Sequence, residues 1–325
     1  MKVWVLVDNR IGTAKQAKSL AQILGLPFKV KKLQYSFLAK LPNFLKFRFL
    51  DLQSKSRAQI KSGKPDIVIS AGRRSAAVAM QLKKRNPKTK VIQVMHGSVP
   101  IKYMDVVILP QHDKKPNKRY SNKTIFIDGA ISFLTEDELE TEKRYWNERF
   151  KKFKQPYVCV LIGGKSKHTA FTGVNAKKLI NLAINFAKKK EASLLISTSR
   201  RTPPKALENI KEILAKEQNL QHYLYDQNSS IDVNPYKGFL AIADYIIVTG
   251  DSVSMCSEAI ETHKPVYVFS MPNMLGKKHE KFIDSLIKKS YVQPLTEEIK
   301  PFENKADSRH TSLRNKIFKL LKIDV

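Results

Sequence analysis

Two serines and a glutamate near the C-terminal third of the chain stand at a spacing that could hold a phosphorylated nucleoside. Ser252, Ser254 and Glu258 lie within Tyr245-Ile-Ile-Val-Thr-Gly-Asp-Ser-Val-Ser-Met-Cys-Ser-Glu-Ala259, which reads as a buried strand, a polar turn and a helix start. The β-branched run Ile246 to Thr249 suits a central parallel strand, and Gly250 lets the backbone turn sharply where the strand ends. Asp251, Ser252 and Ser254 then offer capping and first-turn groups to a helix through Glu258 to about Thr262. A helix start at the carboxyl end of a parallel strand gathers unpaired amides at the positive end of the macrodipole, and phosphate is the guest that suits it. Glu258, four residues after Ser254, shares its helix face, where a carboxylate can accept two ribose hydroxyl protons. The same residues also suit a capped turn with a solvated glutamate.

The elements that must position such a site recur along the chain. Tyr157 to Ile162 reads as a strand followed by Gly163-Gly164-Lys-Ser-Lys-His168, whose adjacent glycines permit a diphosphate to approach the backbone. The fragment Gly164-Lys165-Ser166 imitates the end of a P-loop, but Cys159, inside the strand, stands where the first glycine is required, so an ATPase loop is excluded. Ser193 to Ser197 is a strand ending in Thr198-Ser-Arg-Arg-Thr-Pro203, and Asn219 to Tyr225 and Pro265 to Phe269 are further strands. Asn175 to Lys189 and Pro235 to Ala243 read as helices.

The N-terminal half repeats the pattern. Its first stretch, Met1-Lys-Val-Trp-Val-Leu-Val-Asp8, reads as a strand, followed by a loop Asn9-Arg-Ile-Gly-Thr13, then a helix from Ala14 to Leu24 stopped by Gly25. A lone Gly12 is weaker than a dinucleotide fingerprint. Strands are expected at Phe28 to Leu33, Pro65 to Gly72, Val91 to Met95 (then His96-Gly97), Val106 to Leu109 (then Pro110-Gln-His-Asp113) and Thr124 to Ile127. Arg73 and Arg74 open a helix after Gly72, where they oppose the macrodipole; an anionic ligand or acidic neighbours would explain them. Single histidines such as His96 and His112 are more often structural than catalytic. Thr135 and Glu138 form a capping box for a helix to about Phe153, and Ser312 to Ile323 could form a last helix.

Strands that end in polar or glycine turns, interleaved with helices, define an α/β protein with two Rossmann-like domains facing each other across a cleft. The expected boundaries are an acceptor-side domain over 1–134, a linker helix over 135–154, a nucleotide-side domain over 155–305, and a C-terminal helix over 306–325 that returns to the first domain. With 325 residues, two domains are expected, and 42% hydrophobic content suffices for two cores. Lysine plus arginine exceed aspartate plus glutamate by 59 − 29 = 30, a field that attracts nucleic acid, anionic lipid or phosphorylated substrates. No recognition module for nucleic acid accompanies it, so no specific nucleic-acid partner is expected. Two cysteines are too few for a disulfide framework or a zinc site, which fits a reducing, cytoplasmic compartment. No run approaches the ~18 to 20 apolar residues that span a bilayer. The basic, aromatic stretch from Tyr35 to Leu52 (Phe37, Leu38, Leu41, Phe44, Leu45, Phe47, Phe49, Leu50) could dock peripherally on an anionic inner-membrane surface, although core packing is the more usual reason for such a stripe.

The order and spacing of Gly163-Gly-Lys-Ser-Lys-His168, Thr198-Ser-Arg-Arg-Thr202 and Gly250-Asp-Ser-Val-Ser-Met-Cys-Ser-Glu-Ala259 resemble the mitochondrial-fission Elm family, as do Arg73-Arg74 and the Pro110-x-His-Asp113 turn. The resemblance implies a glycosyltransferase-B-like fold, with a nucleotide-diphosphate sugar on the C-terminal domain and an acceptor on the N-terminal one. On that reading Gly163, Gly164, Ser166, Ser199, Gly250, Ser252, Ser254, Met255 and Glu258 hold a donor of uridine type, and Arg200 or Arg201 stabilises the leaving diphosphate. Gly12, Thr13, Arg73, Arg74 and His96 face the acceptor. Neither a metal nor a further cofactor is required, because arginine and helix dipole can neutralise the leaving group. The first loop departs from the family's Asp-Gly-x-x-Gly-His pattern, reading Asp8-Asn-Arg-Ile-Gly-Thr13. The resemblance also implies an alternative, a non-catalytic membrane-associated adaptor that recruits a partner, as in organelle fission.

Overall fold

The computed structural model describes every residue except 38–48, 167–168, 229–232, 299, 301, 307–308 and 324–325. The chain forms two compact units, one of Met1–Phe133 joined by the C-terminal segment, the other of Leu134–Asp307.

In unit 1 the elements are β1 (Val3–Val7), α1 (Ile11–Leu24), β2 (Phe28–Lys32), α2 (Ser54–Lys61), β3 (Ile67–Ala71), α3 (Gly72–Arg85), β4 (Lys90–Val94), β5 (Val106–Pro110) and β6 (Thr124–Ile127). Their all-parallel sheet runs β2-β1-β3-β4-β5-β6. β1 and β3 are buried at every residue because helices cover both faces, whereas the edge strand β2 carries three lysines that discourage further pairing. One face packs Val3, Val5 and Ile69 against Leu20 and Leu24 of α1, the other packs Trp4 and Leu6 against Val78 and Leu82 of α3.

Unit 2 contains α4 (Glu136–Arg149), β7 (Tyr157–Leu161), α5 (Gly173–Lys189), β8 (Ser193–Ser197), α6 (Pro204–Leu214), β9 (His222–Tyr225), α7 (Tyr236–Ile242), β10 (Tyr245–Thr249), α8 (Val253–Ile260), β11 (Val266–Phe269), α9 (Lys277–Lys288) and the short β12 (Gln293–Pro294). The parallel sheet runs β12-β11-β10-β7-β8-β9. This is the doubly wound order in which the chain builds outward from β7 in one direction, then returns to β7 and builds in the other. The last helix, α10 (Arg309–Leu321), buries Leu313, Ile317, Phe318 and Leu321 in the core of unit 1 beside α1 and β5.

Several expectations change. The segment Glu136–Arg149 is no free-standing linker: Trp146 and Phe150 are buried in unit 2, and α7 comes so close that a Cβ on Gly238 would overlap the indole. Thr135 does cap it, accepting from the Glu138 amide at 3.2 Å. α1 starts at Ile11, so Gly12 and Thr13 belong to its first turn and not to a loop. α2 has no sequence signal of its own. In the aromatic stretch Phe37 is 81% exposed and Phe49 is buried; Leu38, Leu41, Phe44, Leu45 and Phe47 lie outside the described residues. No helix among the described residues is long and apolar enough to cross a membrane.

Candidate functional site

The carboxyl ends of β7 and β10 meet at the point where the strand order of unit 2 reverses, the place where open α/β sheets leave a crevice. Gly163 and Gly164 follow β7, Thr198 to Thr202 follow β8, and Gly250 to Ser254 follow β10. These turns are bonded into one another. The Gly163 amide donates to Thr249 Oγ1 at 2.8 Å, and its carbonyl accepts from Ser199 Oγ at 2.5 Å and Thr202 Oγ1 at 2.7 Å. The Gly164 amide donates to Asp251 Oδ2 at 2.8 Å, and the Lys165 amide to the Arg201 carbonyl at 3.0 Å.

Asp251 is the centre of this knot. Its side chain is fully buried, and Oδ2 also takes Arg201 Nη2 at 3.1 Å, while Oδ1 is buried with no partner. A Cβ on Gly163 would fall 2.2 Å from that carboxylate, and one on Gly164 2.1 Å from the Arg201 carbonyl. The two glycines are therefore needed for close approach inside the protein, and their amides are already spent. Thr249 Oγ1 holds the Gly163 amide and the Asp251 carboxylate the Gly164 amide, where the sequence suggested a diphosphate. Ser199 is likewise committed to Gly163, and Ser166 bonds Thr169 through both its amide (3.1 Å) and its hydroxyl (2.7 Å). Gly250 has no positive φ; it admits Leu275, Ile283 and Val268, which would crowd a Cβ at 3.1 to 3.4 Å.

What stays open is the start of α8. Ser252 is its N-cap, accepting from the Met255 amide at 3.5 Å, and the Val253 and Ser254 amides have no protein acceptor among the described residues. Unpaired amides at a helix start attract anions. Ser254 is exposed, whereas Glu258, one turn on, is 5% exposed, so this face of α8 leads from solvent to a buried carboxylate. Beside Glu258 lies the Tyr236 hydroxyl, buried without a partner at hydrogen-bonding geometry. Burial pushes the Tyr236 phenol well above its ordinary range, and the neighbouring Glu258 carboxylate adds to this, so the hydroxyl keeps its proton. Of the two arginines, Arg201 is bound to Asp251 and to the Gly164 carbonyl, while Arg200 is exposed with no partner among the described residues. Sequence reasoning passed over Tyr236 and the inward role of Asp251, since an aspartate after a glycine reads as a cap.

In unit 1 the order reverses between β1 and β3, and their ends also meet: a Cβ on Gly72 (φ +75°) would lie 3.2 Å from Thr13 Cγ2. Thr13 Oγ1 is 3.2 Å from Asp8 Oδ1. Arg73 is exposed, and Arg74 packs on the Tyr35 ring at 5.7 Å. His96 is exposed after β4, between Met95 (φ 63°) and Ser98 (φ 52°), both in left-handed backbone. Nothing lies within 4 Å of a Cβ on Gly12. Among the described residues no group of three or more His, Cys, Asp or Glu side chains could hold a metal ion.

A family model described as mitochondrial fission ELM1 matches residues 11–314. The chain belongs to that family. Uncharacterized protein RP120 of Rickettsia prowazekii is 34% identical over 93% of this chain and 93% of its own length. Mitochondrial fission protein ELM1 of Arabidopsis thaliana is 28% identical over 71% of this chain and 57% of its own length. Among solved structures, UDP-GlcNAc 2-epimerase from Methanocaldococcus jannaschii aligns with a TM-score of 0.55 at 14% identity, covering 99% of this chain and 92% of that one. S. aureus MnaA in its co-structure with UDP aligns at 0.51 and 15% identity, covering 99% and 97%. At such identities the likeness establishes the fold, which is glycosyltransferase-B-like: two Rossmann-like units, the second in the doubly wound order and the first in the order 2-1-3-4-5-6.

Proposed function

We propose that this ELM1-family protein binds a nucleotide-diphosphate sugar, of uridine type, on unit 2 and transfers the sugar to an acceptor held by unit 1. The observation that carries the reading is the open start of α8 at the switch point of unit 2, with Glu258 one turn below it. The diphosphate sits on the Val253 and Ser254 amides and the Ser252 and Ser254 hydroxyls. Glu258 accepts from the ribose hydroxyls, with Tyr236 alongside. In transfer, an acceptor hydroxyl oxygen bonds to the anomeric carbon and gives its proton to water, the bond from that carbon to the diphosphate oxygen breaks, and the electron pair leaves with the diphosphate. Arg200 and the helix start meet that charge. Arg201 acts on this chemistry only through Asp251 and the glycine loop, as a positioning residue.

The UDP bound to the S. aureus structure supports a uridine donor by likeness of fold alone. Thermal shift with UDP, UDP-GlcNAc and matched adenosine compounds tests the reading. A ligand at 100 times its Kd stabilises by ~2.7 kcal/mol. Glu258→Ala should lose about 1.5–3 kcal/mol of the binding free energy, and Ser254→Ala, at an exposed position, a smaller part with the fold intact. If no nucleotide shifts the wild-type protein, the donor site is wrong. The second reading, an adaptor without catalysis, is favoured by one observation: the glycine loop has its amides satisfied from within, so it needs no ligand to be complete. Association with anionic vesicles, lost at high salt, would suit either reading.

A further inference from the structure

The positive charge is not shared between the two units. Unit 1, Met1–Phe133 with Ser308–Val325, carries 32 lysines and arginines against 7 acids, or 32 − 7 = +25, and contains no glutamate. Unit 2, Leu134–Asp307, carries 27 against 22, or 27 − 22 = +5. A general preference for lysine would load both units alike, so the asymmetry calls for an anionic partner on unit 1.

Part of that charge gathers on one surface. Lys114, Lys115, Lys118 and Arg119 are all exposed in the connection from β5 to β6. There the Tyr120 ring meets the Phe126 ring of β6 edge-on at 4.9 Å, with Lys118 Nζ 5.3 Å over the first and Lys114 Nζ 5.1 Å over the second. At the end of the connection Lys123 Nζ donates to the Met104 carbonyl at 3.1 Å. Met104 directly follows the short 3-10 turn Ile101–Tyr103, where Lys84 of α3 and Lys102 stand 5.0 and 5.3 Å over the Tyr103 ring. A continuous strip of six lysines and Arg119 thus runs from the β6 edge of the sheet to the end of α3. None of these seven cations makes an ion pair among the described residues, and the adjacent Asp105 is already held by Lys83 at 2.9 Å and by the Val91 amide at 2.8 Å. In unit 2, by contrast, exposed lysines find acids, as in Lys154–Glu191 at 3.0 Å and Lys188–Glu217 at 2.6 Å.

The make-up of the strip selects the partner. Lysines are point charges that meet a phosphate headgroup from any direction, whereas nucleic acid favours the arginine fork and open aromatic faces for its bases. Here Tyr103, Tyr120 and Phe126 pack on the core below and carry ammonium groups above, which leaves little ring face for a base. Ile101, 45% exposed beside Lys102, adds an apolar group that a lipid interface accepts. We propose that this strip docks unit 1 on an anionic lipid bilayer. The docking surface is separate in sequence from the stretch Tyr35 to Leu52, and it stands whichever reading of unit 2 is right.

Flotation of the full chain with phosphatidylcholine vesicles, with and without about one-third phosphatidylglycerol at ~0.1 M salt, tests it. Binding should require the anionic lipid. Lys115→Gln/Lys118→Gln/Arg119→Gln should lower the partition about a hundredfold, since each cation near a lipid surface contributes about fivefold. Lys277→Gln/Lys281→Gln/Lys288→Gln removes the same charge from exposed positions on α9 and should change it less than about threefold. Lys115→Gln/Arg119→Gln leaves the ring contacts of Lys114 and Lys118 in place and should still cost about twentyfold, so the loss does not hang on the fold of the triple variant. Equal losses in the two triple variants would assign binding to diffuse charge and overturn the strip. So would equal binding to neutral vesicles, no binding to either kind, or tighter binding of an oligonucleotide at the same phosphate concentration.

Discussion

The two arginines after β8 sit in different surroundings, and only the three-dimensional contacts separate them. Arg201 is the partner of a fully buried carboxylate, Asp251, at 3.1 Å, whereas Arg200 reaches solvent. Removing one member of such a pair leaves the other charged and buried. Because the Arg201 side chain is itself 39% exposed, water can enter and soften the loss. Arg201→Ala should therefore cost about 1–3 kcal/mol in urea unfolding, and Arg200→Ala less than about 0.5 kcal/mol. If turnover is found, the order should invert for the direct contribution to leaving-group departure: Arg200→Ala lowers kcat in a fully stable protein. Equal stabilities for the two variants would remove Asp251 from the centre of the site. The identity of both arginines was legible as a candidate in the sequence. Their division of labour was not, because it depends on a carboxylate fifty residues later turning inward.

Elements that bury both faces announced themselves. The runs Ile67–Ala71, Tyr157–Leu161 and Tyr245–Thr249 are apolar or β-branched because central parallel strands meet helices above and below. By contrast α2, Ser-Lys-Ser-Arg-Ala-Gln-Ile-Lys, buries only Ser56 and Ile60, so no periodic stripe marks it. Glycines misled in an instructive way, since a glycine may mark a turn, a close approach or nothing. Gly12 sits in the first turn of α1 with nothing within 4 Å of a Cβ, and Gly238 faces the Trp146 indole, whose Cδ1 would be 1.9 Å from one. Gly12→Ala should stabilise by about 0.4–1 kcal/mol by restricting the unfolded chain. Gly238→Ala forces α7 away from α4 and should cost about 1–3 kcal/mol or more. Thermal unfolding of the two variants measures both. A loss of stability at Gly12→Ala would show that this turn needs its glycine after all.

At the scale of the whole molecule, the chain leaves unit 1 after Phe133 and comes back to it with α10. The sequence suggested this return from the amphipathic run near Ser312, but the strength of the tie follows from packing: Leu313, Ile317, Phe318 and Leu321 are all at most 8% exposed, alongside Leu20 and Leu24 of α1. Burying four such side chains contributes about 1.5–3 kcal/mol each, an upper estimate that still rivals the roughly 5–15 kcal/mol that holds an ordinary domain folded. Unit 1 therefore depends on α10, which lies beyond unit 2 in the chain, while unit 2 has its strands and helices between Leu134 and Asp307. A chain ending after Ala306 should leave β1 to β6 open to protease and to amide exchange, with unit 2 surviving as a resistant fragment that still shifts with UDP. Phe318→Ala, costing about 3–5 kcal/mol, should give the same order of loss without truncation, unit 1 melting first. Protection of β1 to β6 in the shortened chain would mean that α10 merely covers unit 1.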